Sequence, residues 1–212
     1  MGRWGKFITV EGIDGSGKSS LIEGLRERLL QRGVKPERIV ITREPGGTDF
    51  AEEIRKVLSK PIAREPLAEV FALLSSRYDH TKRKIIPALR EGKIVISDRY
   101  SDSTFAYQVF GKGLEYYLIT RLNKIASMKL KPDLTLLIDI DPKIALERLK
   151  RTKDFDYYEK LGLEFFERVR YGYLALARRA KKRIKVINGN QSVEGVINEA
   201  WKHVEGLIFG EK

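Results

Sequence analysis

The sequence predicts a three-layer α/β/α fold built around a five-stranded parallel sheet. Five short β-prone runs lack the in/out alternation of a half-exposed sheet. Helical patterns separate them, and a glycine-rich turn joins the first run to the first helix. Strands covered on both faces read as continuous apolar runs, and parallel strands need crossover helices between them.

Taken in order, Phe7-Ile8-Thr9-Val10 is the first strand, followed by a helix over Gly17–Leu30 with Leu21, Ile22, Leu25 and Leu29 on one face. Arg38–Thr42 is the second strand. Helical patterns run from about Asp49 to Ser59 and from about Pro66 to Glu91, the latter interrupted near His80. Lys93–Ser97 is the third strand, with helical stretches over about 102–110 and 114–128 after it. Leu134–Asp139 is the fourth, and Pro142 suits the first turn of the next helix. A long helix covers about 157–181, Arg183–Ile187 is the fifth strand, and Val193, Val196, Ile197, Ala200, Trp201, Val204 and Leu207 mark a last helix. These apolar stripes read as core faces. The length suits one domain spanning 1–212, with the polar stretch at about 148–157 as a lid.

Composition narrows the classes. No apolar run approaches the roughly 18 residues that a membrane span needs, and the start, Met1 to Lys6, reads as no secretion signal. The absence of cysteine excludes disulfides and zinc-thiolate sites and fits a cytoplasmic protein. Abundant Lys, Arg and Glu with only two Met resembles a thermophile composition. A net charge of +12 suits either nucleic acid or anionic small substrates. The densest basic run, Arg178 to Arg183, merely ends a helical pattern, so the expectation is no nucleic-acid partner and no membrane.

The strongest chemical signal is Gly12-Ile13-Asp14-Gly15-Ser16-Gly17-Lys18-Ser19, which matches G-x-x-x-x-G-K-[ST] between a strand and a helix. Glycines let backbone N–H groups curl around phosphate oxygens at the positive end of a helix. Lys18 then reaches the β- and γ-phosphates and the Ser19 hydroxyl binds Mg²⁺; Ser20 completes the ATP-binding stretch. Asn123-Lys124-Ile125-Ala126 is the nearest approach to a guanine-binding motif and lacks its Asp. Ser97-Asp98-Arg99-Tyr100 lies at the carboxyl edge of the sheet, where ligands bind in open α/β folds. Asp98 suits Mg²⁺ or acceptor orientation, and Arg99 offers a planar fork for phosphate. Neither a Ser-His-Asp set nor a metal cluster is evident; His80 reads as a helix-end histidine, far in sequence from His203.

Three long motifs carry a resemblance to the thymidylate kinase family over nearly the whole chain. F-I-x-x-E-G-x-D-G-x-G-K-S/T appears as Phe7 to Ser19, T-R-E-P-G-G-T as Thr42 to Thr48, and D-R-Y-x-x-S-x-x-A-Y-Q as Asp98 to Gln108; a P-D-L-T-L-x-L-D run spans Pro132 to Asp139. Related deoxynucleoside kinases typically show E/D-R-S where this chain has Asp-Arg-Tyr.

The resemblance implies a P-loop nucleotide kinase that moves the ATP γ-phosphoryl group to dTMP with Mg²⁺ as cofactor. The alternatives are a kinase for another nucleoside monophosphate and a P-loop ATPase acting with nucleic acid. It implies that Asp14 contacts the sugar 3′-hydroxyl and the Mg²⁺ shell, and that Arg99 holds the acceptor phosphate. Arg55 lies near the acceptor nucleotide, Arg77 hydrogen-bonds thymine O4, Thr104 sits at the base, Tyr107 disfavours a ribose 2′-hydroxyl, and Arg43 and Gln108 belong to the substrate-binding set. It further implies a homodimer through the helices around 49–80.

Departures from the family pattern matter. The aromatic expected to stack on the base is replaced by Leu73, so that either Leu73 packs flat on the base or Phe71 reaches it. The lid has Asp156-Tyr157 where Asp-Arg is common, and the loop has Gly15 where some members carry Arg. Positive charge on the transferring group is then expected from Arg151, Arg148 or Lys153.

Overall fold

The computed structural model describes residues 4–150, 158 and 161–210. Five strands, β1 (Lys6–Glu11), β2 (Ile39–Arg43), β3 (Ile94–Asp98), β4 (Leu134–Asp139) and β5 (Ile184–Asn188), form one parallel sheet in the order β2-β3-β1-β4-β5. The register places Ile8 beside Ile96 and Leu134, which brings Glu11 and Asp98 to the same carboxyl edge.

Side chains of β1 alternate between two covered faces. Ile8 and Val10 join the apolar faces of α1 (Lys18–Gln31) and α9 (Val193–Phe209), with Leu21, Leu25, Leu29, Ala200, Trp201 and Val204. Phe7 points the other way, into Ile85, Leu89 and Tyr100 beside α4 (Ile86–Arg90). The neighbouring cluster on that side is built on α8 (Gly162–Arg179) through Phe165, Phe166, Val169 and Tyr173. Both layers exclude water, which explains why the strands lack alternation.

The remaining helices are α2 (Asp49–Ser59), α3 (Pro66–His80), α5 (Ser101–Thr104), α6 (Tyr116–Ala126) and α7 (Pro142–Lys150). Two π turns, Thr81–Ile85 and Phe105–Gly111, replace regular α-helix. The first is the interruption expected near His80.

Several of the sequence-based boundaries need correction. β2, β3 and β5 each begin and end one residue later than expected, because the ladder continues through Arg43–Asp98 and Asp139–Asn188. Those terminal residues are polar, so hydrophobicity fades before the hydrogen bonds do. The long helix expected from 157 starts at Gly162, whose φ of 76° breaks any continuation from Tyr158.

Candidate active site

The chain leaves β1 at Glu11 and turns through Gly12 to Gly17 into α1. Gly17 caps that helix with φ 94°, a left-handed conformation that a side chain disfavours. Gly15 has a steric requirement as well: a Cβ there would lie 2.5 Å from the Ala145 carbonyl oxygen of α7. Helix α7 therefore seals one wall of the loop, and a side chain at this position has no room. Lys18 is buried, and its Nζ donates to the Ile13 carbonyl at 3.1 Å and the Gly12 carbonyl at 3.4 Å. Desolvation, then the nearby Arg99 charge, lowers its pKa. Ser19 and Ser20 stand exposed on the first turn of α1.

Asp98 ends β3, and its buried Oδ1 has no hydrogen-bond partner among the described residues, as does the Ser16 hydroxyl. A buried carboxylate oxygen left unmatched is costly. That orphaned oxygen, with the Ser19 hydroxyl on the first turn of α1, is chemically suited to a hard divalent cation or its water shell.

Arg99 is the hub. It adopts φ 68°, and its guanidinium donates to Asp14 Oδ1, to the Tyr107 hydroxyl at 2.9 Å, to Tyr173 at 3.1 Å and to Ser103 at 3.2 Å. Tyr107 in turn donates to Asp14 Oδ2 at 2.9 Å. Burial alone would raise the Asp14 carboxyl, but Arg99 and Lys18 outweigh it and hold it at about 2. Beneath them lies Glu11, which the sequence reading did not single out. It accepts from the Tyr100 backbone N–H at 2.8 Å, from Ser103 and from Tyr173 at 2.9 Å. Burial, followed by the Asp102 charge, pushes Glu11 up to about 7.

A cavity opens from this hub, lined by Asp14, Arg99 and Tyr107 at one end and by Leu73, Arg77 and Gln108 at the other. Arg55, Thr104 and Tyr158 also reach it. Arg77 is not an exposed helix residue: it is 3% exposed and donates to Glu44 at 2.7 Å, Thr104 at 2.7 Å, Asn123 at 2.7 Å and the Tyr100 carbonyl at 3.0 Å. His80 closes the same network from the end of α3, bonded to Thr42 at 2.7 Å and Glu44 at 3.2 Å. Asn123 thus serves this wall.

Of the two residues considered for the base, Leu73 lines the cavity while Phe71 is exposed and lies outside the lining. Arg55 donates to the Pro45 carbonyl at 3.0 Å, on the cavity side. Arg43 does not join the lining; it is half exposed and paired with Glu52 at 2.8 Å. Arg148, on the last turn of α7, sits 3.5 Å from the Gly15 carbonyl. Arg151, Lys153, Asp156 and Tyr157 lie outside the described residues.

Comparison with known proteins agrees with this geometry. The family model for thymidylate kinase matches residues 10–200. The thymidylate kinase of Pelotomaculum thermopropionicum is 41% identical over 207 residues, covering 96% of this chain and 94% of that protein. That of Carboxydothermus hydrogenoformans is 42% identical over 204 residues, covering 96% and 98%. The crystal structure of thymidylate kinase from Ehrlichia chaffeensis superimposes with a TM-score of 0.80 at 35% identity, across 95% of this chain and 99% of that one. With the matched region running from the first strand into the last helix, the chain belongs to the thymidylate kinase family.

Proposed function

We infer that the protein transfers the γ-phosphoryl group of ATP to dTMP, giving ADP and dTDP. The observation that carries this is the cavity joining the phosphate loop to an arginine-lined acceptor pocket, with Arg99 at one end and Arg77 at the other. ATP lies along the Gly12–Ser20 loop, its β- and γ-phosphates against backbone N–H groups and Lys18, which leaves the Gly12 and Ile13 carbonyls to meet them. Arg99 takes the dTMP phosphate, sharing its fork between that anion and Asp14. An acceptor oxygen forms a bond to the γ-phosphorus as the bond to the ADP oxygen breaks. No general base is needed, because the acceptor is already an anion. Ser19 and Asp98, with Asp14 nearby, would hold Mg²⁺, which would supply neutralising charge to the phosphates. Tyr107, its ring 4.8 Å from the Arg99 guanidinium carbon, crowds the place of a 2′-hydroxyl.

The lid completes the charge. Gly15 leaves no room for a cation from the loop itself, and Arg148 is already within reach of that loop. We read 1–212 as one kinase unit whose lid, about 148–157, brings Arg151 or Arg148 onto the transferring group. Loss of the effective arginine lowers kcat by about a hundredfold with little change in nucleotide KM. Arg148→Ala and Arg151→Ala variants that both keep half the wild-type kcat would remove the idea.

The exposed apolar residues Phe50 and Val57 on α2 and Phe71 and Tyr78 on α3 support a homodimer through those helices. A cytoplasmic location fits the lack of cysteine; among the described residues no helix is long and apolar enough to cross a membrane. The deciding experiment measures ADP release with dTMP, dUMP, UMP, dGMP and dCMP. The reading predicts dTMP as the best acceptor. ATP turnover stimulated by DNA and indifferent to dTMP sinks it.

A further inference from the structure

Glu69 lies on α3 one turn before Leu73 and two before Arg77, yet it is buried and outside the cavity lining. Its Oε1 accepts from Tyr158 at 2.7 Å, Lys112 at 2.8 Å and Gln108 Nε2 at 3.1 Å; its Oε2 accepts from Arg64 and Lys112, each at 2.8 Å. Burial works to raise the carboxyl, but the bonds from Lys112, Tyr158 and Arg64 prevail and hold it below the usual carboxylate range. An ionised carboxylate only accepts hydrogen bonds.

That fixes Gln108. Facing a pure acceptor, its amide must present the NH₂ edge. The Tyr158 hydroxyl, its proton given to Glu69, accepts from the same Nε2 at 3.0 Å. Glu69 Oε1 and the Tyr158 hydroxyl, 2.7 Å apart, lie on the same side of Nε2 and together anchor the NH₂ edge, and no donor among the described residues reaches the Gln108 Oε1. The carbonyl oxygen is the acceptor this side chain offers the cavity it lines. Of the five N–H groups of Arg77, four are committed to Glu44, Thr104, Asn123 and the Tyr100 carbonyl. The base end thus presents one acceptor and one remaining donor.

We propose that Glu69 is a positioning residue which, with Tyr158, turns the Gln108 carbonyl toward the base and so selects a pyrimidine bearing N–H at N3 and a carbonyl at C4. The proposal rests on the reading of the cavity as a pyrimidine nucleotide site. An aminopyrimidine such as cytosine meets it wrongly at both atoms: its bare N3 faces an oxygen lone pair, and its amino group faces a guanidinium N–H. Sites built to pair specific polar atoms reject the mismatched analogue strongly, because their own groups are left unpaired.

The test measures kcat and KM for dTMP, dUMP and dCMP in wild type, Glu69→Gln and Tyr158→Phe, with thermal unfolding alongside. In Glu69→Gln the new amide donates as well as accepts, so Gln108 is released to turn over. The dTMP-to-dCMP ratio of kcat/KM falls by about tenfold or more, mainly through a higher KM for dTMP rather than a lower kcat. A folded Glu69→Gln protein that merely loses stability and keeps its ratio within about twofold of wild type overturns the proposal. If that variant shows no cooperative unfolding, Tyr158→Phe decides: about a threefold fall in the ratio supports the orientation argument, and an unchanged ratio overturns it. A wild-type protein that phosphorylates neither dTMP nor dUMP overturns the underlying kinase reading instead.

Discussion

At the phosphate end of the cavity, most of the contacts come from a short contiguous stretch, Gly12 to Ser19, together with Arg99 just past the end of β3. At the base end they come from α3, the turn before α2, the π turn and α6, brought together by Arg77 and Glu69. The phosphate end is largely backbone and helix terminus, so its chemistry survives most distant changes. The base end is a set of buried charges that must all be paired at once, and there recognition and stability share the same atoms. Removing the loop lysine should cost rate with little stability, whereas removing a base-end side chain should cost stability too.

The largest expected effect is at Lys18. Lys18→Ala lowers kcat by about a thousandfold, since the lysine neutralises charge on the transferring group. Its circular dichroism and melting temperature stay close to wild type, because its bonds are to loop carbonyls at the edge of the site. Near-normal turnover would break the phosphate-end assignment.

Arg77→Met sharpens the contrast. It leaves Glu44, 4% exposed, without its guanidinium partner, and loss of one member of a buried pair costs about 3–5 kcal/mol. Denaturant unfolding should record that loss, together with a KM for dTMP raised on the order of a hundredfold. A variant with a raised KM and unchanged stability would erase the distinction between the two ends.

A smaller effect is expected at Glu11, the one buried carboxyl that couples to both Arg99 and Asp102. Its folded value of about 7 lies above the unfolded 4.5. Below the unfolded value it is protonated in both states and folding carries no penalty. As pH rises from there through 7 the unfolded chain releases the proton first, and stability falls by up to about 3 kcal/mol. The stability difference between wild type and Glu11→Gln should therefore slope downward across that window. A flat difference from pH 4.5 to 8 contradicts the assignment.

The same contrast explains what could be read in advance. The phosphate loop was legible because its residues are contiguous and its glycines have a backbone reason to be there. The sheet was legible because both of its faces are covered, and its limits were misread where polar residues such as Lys6, Glu11, Arg43, Asp98 and Asn188 carry the ladder past the apolar run. Glu69, Glu11 and Tyr158 escaped notice because their partners are distant in sequence. The available signal was a charged residue in register with Leu73 and Arg77 along α3, on a face otherwise bound for burial. The π turn at Thr81–Ile85 showed only as an interruption of the pattern near His80, and that at Phe105–Gly111 left no trace, since no composition marks a wider turn.

That wider turn has a consequence for how the chain tolerates change. Within Phe105–Gly111 the Lys112 N–H reaches back to the Tyr107 carbonyl at 3.0 Å, five residues away. The turn thus holds one residue more than an α-helical turn would. A single deletion there would be absorbed without breaking the helix: the segment would tighten into ordinary α geometry. Residues beyond the gap would keep nearly their phase, while those inside the turn would be re-aimed. Tyr107, which faces the sugar and Arg99, and Gln108, which faces Glu69, would then no longer be aimed by the same piece of backbone. The length of this segment is therefore under tighter constraint than its helical propensity suggests, and a one-residue deletion would leave a folded protein blind to its acceptor.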